Sequence, residues 1–253
     1  MAKPVTRAAA GRWNRLQQWA TLPALSVPLL LLCLVLHRAP TALAPQPWHL
    51  SVDWLPELGL RLDLQLDALS LLFALLVTGL GVLVTLYSLA YMRGEPGQAR
   101  YYALLFVFMA AMLGVVTSGN LLVLFIFWEL TSVSSFLLIG FRHEEEASQQ
   151  SALQALLVTG GGGLALLAGV VLLGQVYGTY DLSAILARPG VLRGHPYYVW
   201  VLGLVLAGAC AKSAQFPLHF WLPNAMVAPT PISAYLHSAT MVKAGLYLLA
   251  RLA

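Results

Sequence analysis

One apolar stretch, LAGACAKSAQFPLHFWLPNAMVAPTPISAYLHSATMVKAGLYLLAR from Leu206 to Arg251, holds four groups able to carry protons: Lys212, His219, His237 and Lys243. Pro217, Pro223, Pro229 and Pro231 lie among them. A fifth group, Glu129, sits in LLVLFIFWELTSVSSFLLIGF, with only apolar residues at 121–128 before it. A charged side chain in the middle of a bilayer costs roughly 2.5–3.5 kcal/mol on insertion scales. Residues that expensive are retained for function sooner than for packing. The prolines add to the argument, because a helix broken at membrane depth is tolerated only inside protein or beside water. Basic groups beside broken helix ends point to an ion path.

Each group has a role that its type suits. A carboxylate facing a lysine across helices lets each control the protonation of the other, and a lysine held out of water is a proton carrier. Glu129 and Lys212 are read as that pair, and Lys243 carries the same argument as Lys212. Ser132 is one turn on from Glu129 and shares its face. His237, which titrates near neutrality, suits a relay. It precedes Lys243 by about 240° of helix and roughly 9 Å, so the two serve successive points of a route. Thr240 lies between them and can hold a hydrogen-bonded water. His219 is a further candidate relay, whereas His143 is expected in a solvated loop.

Other chemistries lack their residues. Gly160–Gly163 lacks the GK[ST] ending of a phosphate loop and reads as close helix packing. Cys33 and Cys210 lie in apolar runs and read as small buried hydrophobes. No metal constellation, nucleophile elbow or base stripe suited to nucleic acid is present, and no cofactor is expected.

The elements that must position these groups are membrane helices. Of 253 residues, 59% are hydrophobic and 9% charged, against about a quarter charged in soluble domains. Apolar runs repeatedly exceed the roughly 18 residues that a crossing helix needs, and no ten-residue alternation of barrel strands is read. The expected fold is an all-α polytopic membrane protein of about seven transmembrane helices, one broken by proline. The spans are placed at 22–36, 68–92, 101–118, 121–141, 152–176, 198–216 and 232–252. Residues 1–67 form an N-terminal unit: a basic segment, an uncleaved first helix, and a long acidic loop over 37–67 with Trp48 and Trp54 at the interface. Residues 68–253 form the translocating unit. Lys3, Arg7, Arg12 and Arg15, with no acid among residues 1–20, place the N-terminus in the cytoplasm of a plasma (inner) membrane and the acidic loop outside.

Three segments carry a resemblance: RLDLQLDALSLLFALLVTGLGVLV, FWELTSVSSFLLIGF and AKSAQFPLHFWLPNAMVAPTPISAYLHSATMVKAGLYLLARL. Over 61–253 the chain resembles the proton-translocating antiporter-like membrane proteins. That family includes the large, A-type subunit of Mrp-type Na⁺/H⁺ antiporters and antiporter-like subunits of respiratory complex I (NADH:quinone oxidoreductase). FWELTSVSSFLLIG and ATMVKAG are more similar to the Mrp branch. The resemblance implies a fourteen-helix core of two inverted five-helix repeats, each with a broken helix. It implies that Glu129 is the mid-membrane glutamate, Lys212 the broken-helix lysine, and His237 and Lys243 the groups passing protons onward. The chain corresponds to the N-terminal half of that core, with seven spans where the family has eight, and reads as an N-terminal fragment.

The implied activity is proton exchange for sodium by a transporter subunit, within an assembly of other membrane subunits in the lipid bilayer. The alternative is a proton-pumping subunit of complex I or a related energy-converting enzyme, with redox chemistry elsewhere. A noncatalytic scaffold is the third class.

Overall fold

The computed structural model describes residues 7–45, 48–55, 57 and 59–253, with side chains from 24 onward except 239. Helix α1 (Arg7–Ala42) leads into an antiparallel hairpin, β1 (Trp48–Leu55) and β2 (Leu60–Leu66). Four long helices follow: α2 (Ala68–Tyr91), α3 (Gln98–Thr117), α4 (Leu121–Ile139) and α5 (Glu146–Tyr177). Short helices α6 (Leu182–Leu186) and α7 (Gly190–Arg193) precede α8 (Tyr198–Lys212). After a stretch of turns come α9 (Trp221–Asn224), a 3₁₀ turn over Ala225–Val227 and α10 (Thr230–Ser233). A π-helical turn, Ala234–Thr240, runs from α10 directly into α11 (Met241–Leu252).

Among the described residues, five helices are long and apolar enough to cross a membrane, within α1, α2, α3, α4 and α5. Helix α8, with 15 residues, and the segmented element over 230–252 complete the expected set of about seven. Two expectations change. The stretch read as the loop 37–67 is helical to Ala42 and then a hairpin, so the chain is not wholly helical. Trp48, Leu50, Val52 and Trp54, then Leu60, Leu62, Leu64 and Leu66, alternate with mostly polar residues, which is the period of a strand. The fifth crossing also begins earlier than expected, at Glu146, which shortens the polar loop before it.

Caps and ladders fix the end of the bundle next to the hairpin. Asp67 accepts the Ser70 amide to start α2, and Asn120 accepts the amides of Leu122 and Val123 to start α4. Leu121 N donates to Tyr180 O at 2.9 Å, Leu182 N to Gly119 O at 2.8 Å, and Asn120 Nδ2 to Gly59 O at 3.0 Å. The hairpin, the α3–α4 turn and the start of α6 are thereby tied together on one side. Asp63 lies buried there, ion-paired to the exposed His49. Its burial pushes the carboxyl up, against the pull of the histidine.

Packing within the apolar layer relies on small residues. A Cβ on Gly162 would overlap the Ala211 Cβ, and one on Gly208 would stand 2.7 Å from the Leu166 Cβ, so α5 and α8 approach nearly backbone to backbone. Of the glycine run, Gly162 takes the close-packing role expected for it. Tyrosine tips finish the polar accounting: Tyr235 donates to Val77 O at 2.7 Å and Tyr247 to Val116 O at 2.8 Å. Leucines on the outward faces of α2 and α5, such as Leu83 and Leu157, remain exposed, as lipid-facing residues should.

Candidate functional site

Lys212 is the last residue of α8 and is 0% exposed. Helix α8 stops there, and no helix resumes until Trp221, as the Phe216-Pro217 sequence predicts. The carbonyls released by the break find partners: Trp221 Nε1 donates to Ala211 O at 3.0 Å, and Gln215 N to Cys210 O at 2.9 Å. The lysine points across to α4. Its Nζ donates to Trp128 O at 2.8 Å and to Ser132 Oγ at 2.6 Å, and stands 5.1 Å from the centre of the Trp128 ring. A carbonyl, a hydroxyl and an aromatic face thus hold the ammonium where water would otherwise be.

Glu129 belongs to the same turn of α4, between the two residues that hold Lys212. The two charges act on one another electrostatically, yet they make no ion pair within 4.0 Å among the described residues. The sequence led us to expect direct approach. The structure brings them into one site but sends the ammonium to the backbone and the serine, while the carboxylate turns towards α5. Its Oε1 is buried without a hydrogen-bond partner. Ser132, one turn on from Glu129, bonds Lys212 and not the carboxylate.

His237 is buried, and neither ring nitrogen has a hydrogen-bond partner. Its ring stands edge-on to Trp221, 5.8 Å between centroids, and Trp221 bonds the residue next to Lys212. His237 thus lies against the indole whose N–H bonds the carbonyl of Ala211, the residue before Lys212. The histidine is carried by the π turn, whose wider winding Thr240 supports by donating from Oγ1 to Tyr235 O at 2.7 Å. Single π turns inside α-helices occur often at functional sites. The Thr240 hydroxyl proton is thus committed to the backbone, which leaves its lone pairs alone for a water.

Two candidates lie elsewhere. Lys243 is exposed on the outer face of α11, in line with Ser238 and Leu246, so it is not the buried lysine expected by analogy with Lys212. The π turn adds a residue to the winding before α11 and so sets which face Lys243 occupies. His219 is exposed in the turn-rich linker beside Phe216, 5.8 Å between ring centroids, and joins no buried group. Sequence reasoning missed the polar cluster at the far end of α11. There the buried Arg251 pairs with both carboxylate oxygens of Asp67, with NH2 at 2.9 Å from Oδ1, and bonds Ser70 Oγ at 2.5 Å and Tyr247 OH at 2.9 Å. An arginine one residue before the end of a mostly apolar helix was the available signal.

Comparisons with known proteins bear on this arrangement. The family model "NADH:quinone oxidoreductase/Mrp antiporter, TM" matches residues 118–253, and "NADH-Ubiquinone oxidoreductase (complex I), chain 5 N-terminus" matches 54–102. A probable K(+)/H(+) antiporter subunit of Rhizobium meliloti, of the A/B type, is 55% identical over 80% of this chain and 20% of its own length. The A1 subunit of the Na(+)/H(+) antiporter of Staphylococcus aureus is 45% identical over 92% of this chain and 29% of its own. The chain therefore spans less than a third of these relatives. Among solved structures, the Mrp complex from Dietzia sp. contains a chain that superposes with TM-score 0.85 at 41% identity, over 93% of this chain and 26% of that one. The membrane-bound sulfane sulfur reductase, an archaeal respiratory membrane complex, gives TM-score 0.76 at 20% identity and shares the fold alone.

Proposed function

Because the chain belongs to the NADH:quinone oxidoreductase/Mrp antiporter transmembrane family, we propose that it acts as a membrane subunit of a multisubunit monovalent-cation/proton antiporter, with sodium as the cation. In this reading it belongs to a transporter and is not an enzyme. Residues 1–67 supply the anchoring helix and outer hairpin, and residues 68–253 the translocating unit. The observation that carries the reading is the Lys212 ammonium, fully buried at a helix break and held by Trp128 O and Ser132 Oγ on either side of Glu129. A proton resting on Lys212 is governed by the charge on Glu129, moves towards His237 past Trp221, and leaves by Lys243 to whatever packs on that outer face. The complex I alternative has weaker support, since relatives at 45–55% identity are named as antiporter subunits and the 20% identical respiratory structure shares only the fold.

The test is sodium-driven proton movement in inside-out vesicles containing the complete assembly. Glu129→Ala is expected to abolish exchange at unchanged complex abundance, and Glu129→Asp to keep part of it. Full exchange by Glu129→Ala would remove Glu129 from the path.

Orientation belongs to the same proposal: N-terminus in the cytoplasm of the plasma membrane, hairpin outside. Ser51 is exposed on β1, so a Ser51→Cys protein should react with a membrane-impermeant thiol reagent on intact cells. Reaction only after permeabilisation reverses the assignment.

A further inference from the structure

Helix α5 carries four successive glycines, and each meets something different. A Cβ on Gly161 would meet nothing within 4 Å, and one on Gly162 would press on Ala211 of α8. A Cβ on Gly163 would overlap Glu129 Oε1 and lie 2.8 Å from its Cδ, while one on Gly160 would reach Oε2 only at 4.0 Å. Real Cβ atoms essentially never approach under 3.0 Å, so the Glu129 carboxylate fills space that a side chain at 163 would take, and one of the two would have to shift. The occupied oxygen, Oε1, is buried and makes no hydrogen bond. Shape therefore holds this carboxylate where bonding does not.

We propose that Gly163 is a positioning residue for proton transfer: its missing side chain forms a notch in α5 that seats the Glu129 carboxylate at a fixed distance from Lys212. This rests on the reading of Glu129 and Lys212 as the proton-carrying pair. Helix α4 fixes the Glu129 backbone, and Trp128 O and Ser132 Oγ fix the ammonium. The remaining freedom is where the carboxylate swings. With the notch open it lies against α5, outside ion-pair distance of Lys212. A methyl group at 163 evicts it, and a displacement of about 1 Å in a reacting group can cost on the order of 10²-fold in rate.

The notch differs from ordinary helix packing in one respect: shortening the acid cures it. Aspartate is shorter by one bond, about 1.5 Å, and clears a methyl at 163. The experiment measures Na⁺-driven proton exchange by the complete assembly in inside-out vesicles, normalised to complex abundance. It compares Gly161→Ala, Gly163→Ala, Glu129→Asp, Glu129→Ala and the Gly163→Ala/Glu129→Asp double variant. Gly161→Ala should match the native protein, and Gly163→Ala should fall on the order of 10²-fold. The double variant should exceed Gly163→Ala several-fold, although Glu129→Asp alone is impaired. If Gly163→Ala fails to assemble, recovery of assembly in the double variant supports the notch by the same logic. Normal exchange by Gly163→Ala overturns the inference, as does a double variant no better than Gly163→Ala in exchange or assembly. Full exchange by Glu129→Ala instead overturns the underlying reading of the pair, so the two failures are distinct.

Discussion

Lys212→Met is expected to abolish cation/proton exchange by the complete assembly, with a fall of about 10²–10⁴-fold, the usual worth of a positioned proton-transfer group. Methionine keeps most of the volume of one of the largest fully buried side chains in the molecule, so the α4–α8 contact is not left with a large cavity. What disappears is the ammonium between Trp128 O and Ser132 Oγ. Neither acceptor is stranded by the change. Trp128 O still receives the Ser132 hydroxyl, at 3.4 Å, and that of Thr131, at 2.7 Å. Complex abundance should accordingly be near normal, and Lys212→Ala should behave alike with some loss of stability. Lys212→Arg separates a proton carrier from a fixed charge, because a guanidinium stays protonated and cannot pass its proton on. Exchange at the native rate by Lys212→Arg in vesicles would show that the lysine is only a countercharge to Glu129.

Arg251→Ala is expected to lower stability by about 1–3 kcal/mol, less than for a fully buried ion pair because the Asp67 side chain is 30% exposed. The arginine reaches from α11 to the first turn of α2 and touches Tyr247, whose hydroxyl bonds α3. Its loss leaves Asp67 with the Ser70 amide and solvent, and loosens three helices together. Thermal unfolding in detergent, read beside complex abundance in membranes, checks the size. Native stability in both measurements would mean that the pair is decorative. The dependence on pH has a definite sign. Burial by itself would raise the Asp67 pKa, but hydrogen bonds from Arg251 and the Ser70 amide outweigh it and bring the carboxyl to about 2. A depressed acid contributes stability that is present above its unfolded value near 4 and is lost as pH falls through about 2. Between pH 5 and 9 this contribution is constant. Any change of exchange with pH in that range arises elsewhere.

Long uninterrupted apolar runs made most of the bundle legible before any coordinates. The crossings placed at 68–92, 101–118 and 121–141 end within a few residues of α2, α3 and α4, since bilayer thickness and backbone satisfaction leave little choice. The hairpin was written as plainly, in two stretches of alternation, but a chain of membrane helices invites a loop between spans. Lys212 and Glu129 stood out because burial makes such groups costly whatever their neighbours. Where their side chains go was not legible: the serine spacing indicated one partner, whereas the Trp128 carbonyl and the α5 notch are matters of three-dimensional approach. Arg251 and Asp67 are 184 residues apart, and no local pattern joins them. Lys243 fell on an unexpected face because the intervening turn is not α-helical.

That turn makes the two ends of the last element mechanically dependent. Rewinding Ala234–Thr240 as an ordinary α-helix would advance everything after it by one residue of phase, about 100° of rotation and 1.5 Å of travel. Arg251 would then leave Asp67, and Gly245, where a Cβ would overlap Ala209 O, would lose its seat against α8. The far ion pair and the outward face of Lys243 thus both fit the π-wound form of Ala234–Thr240 and not an α-wound one.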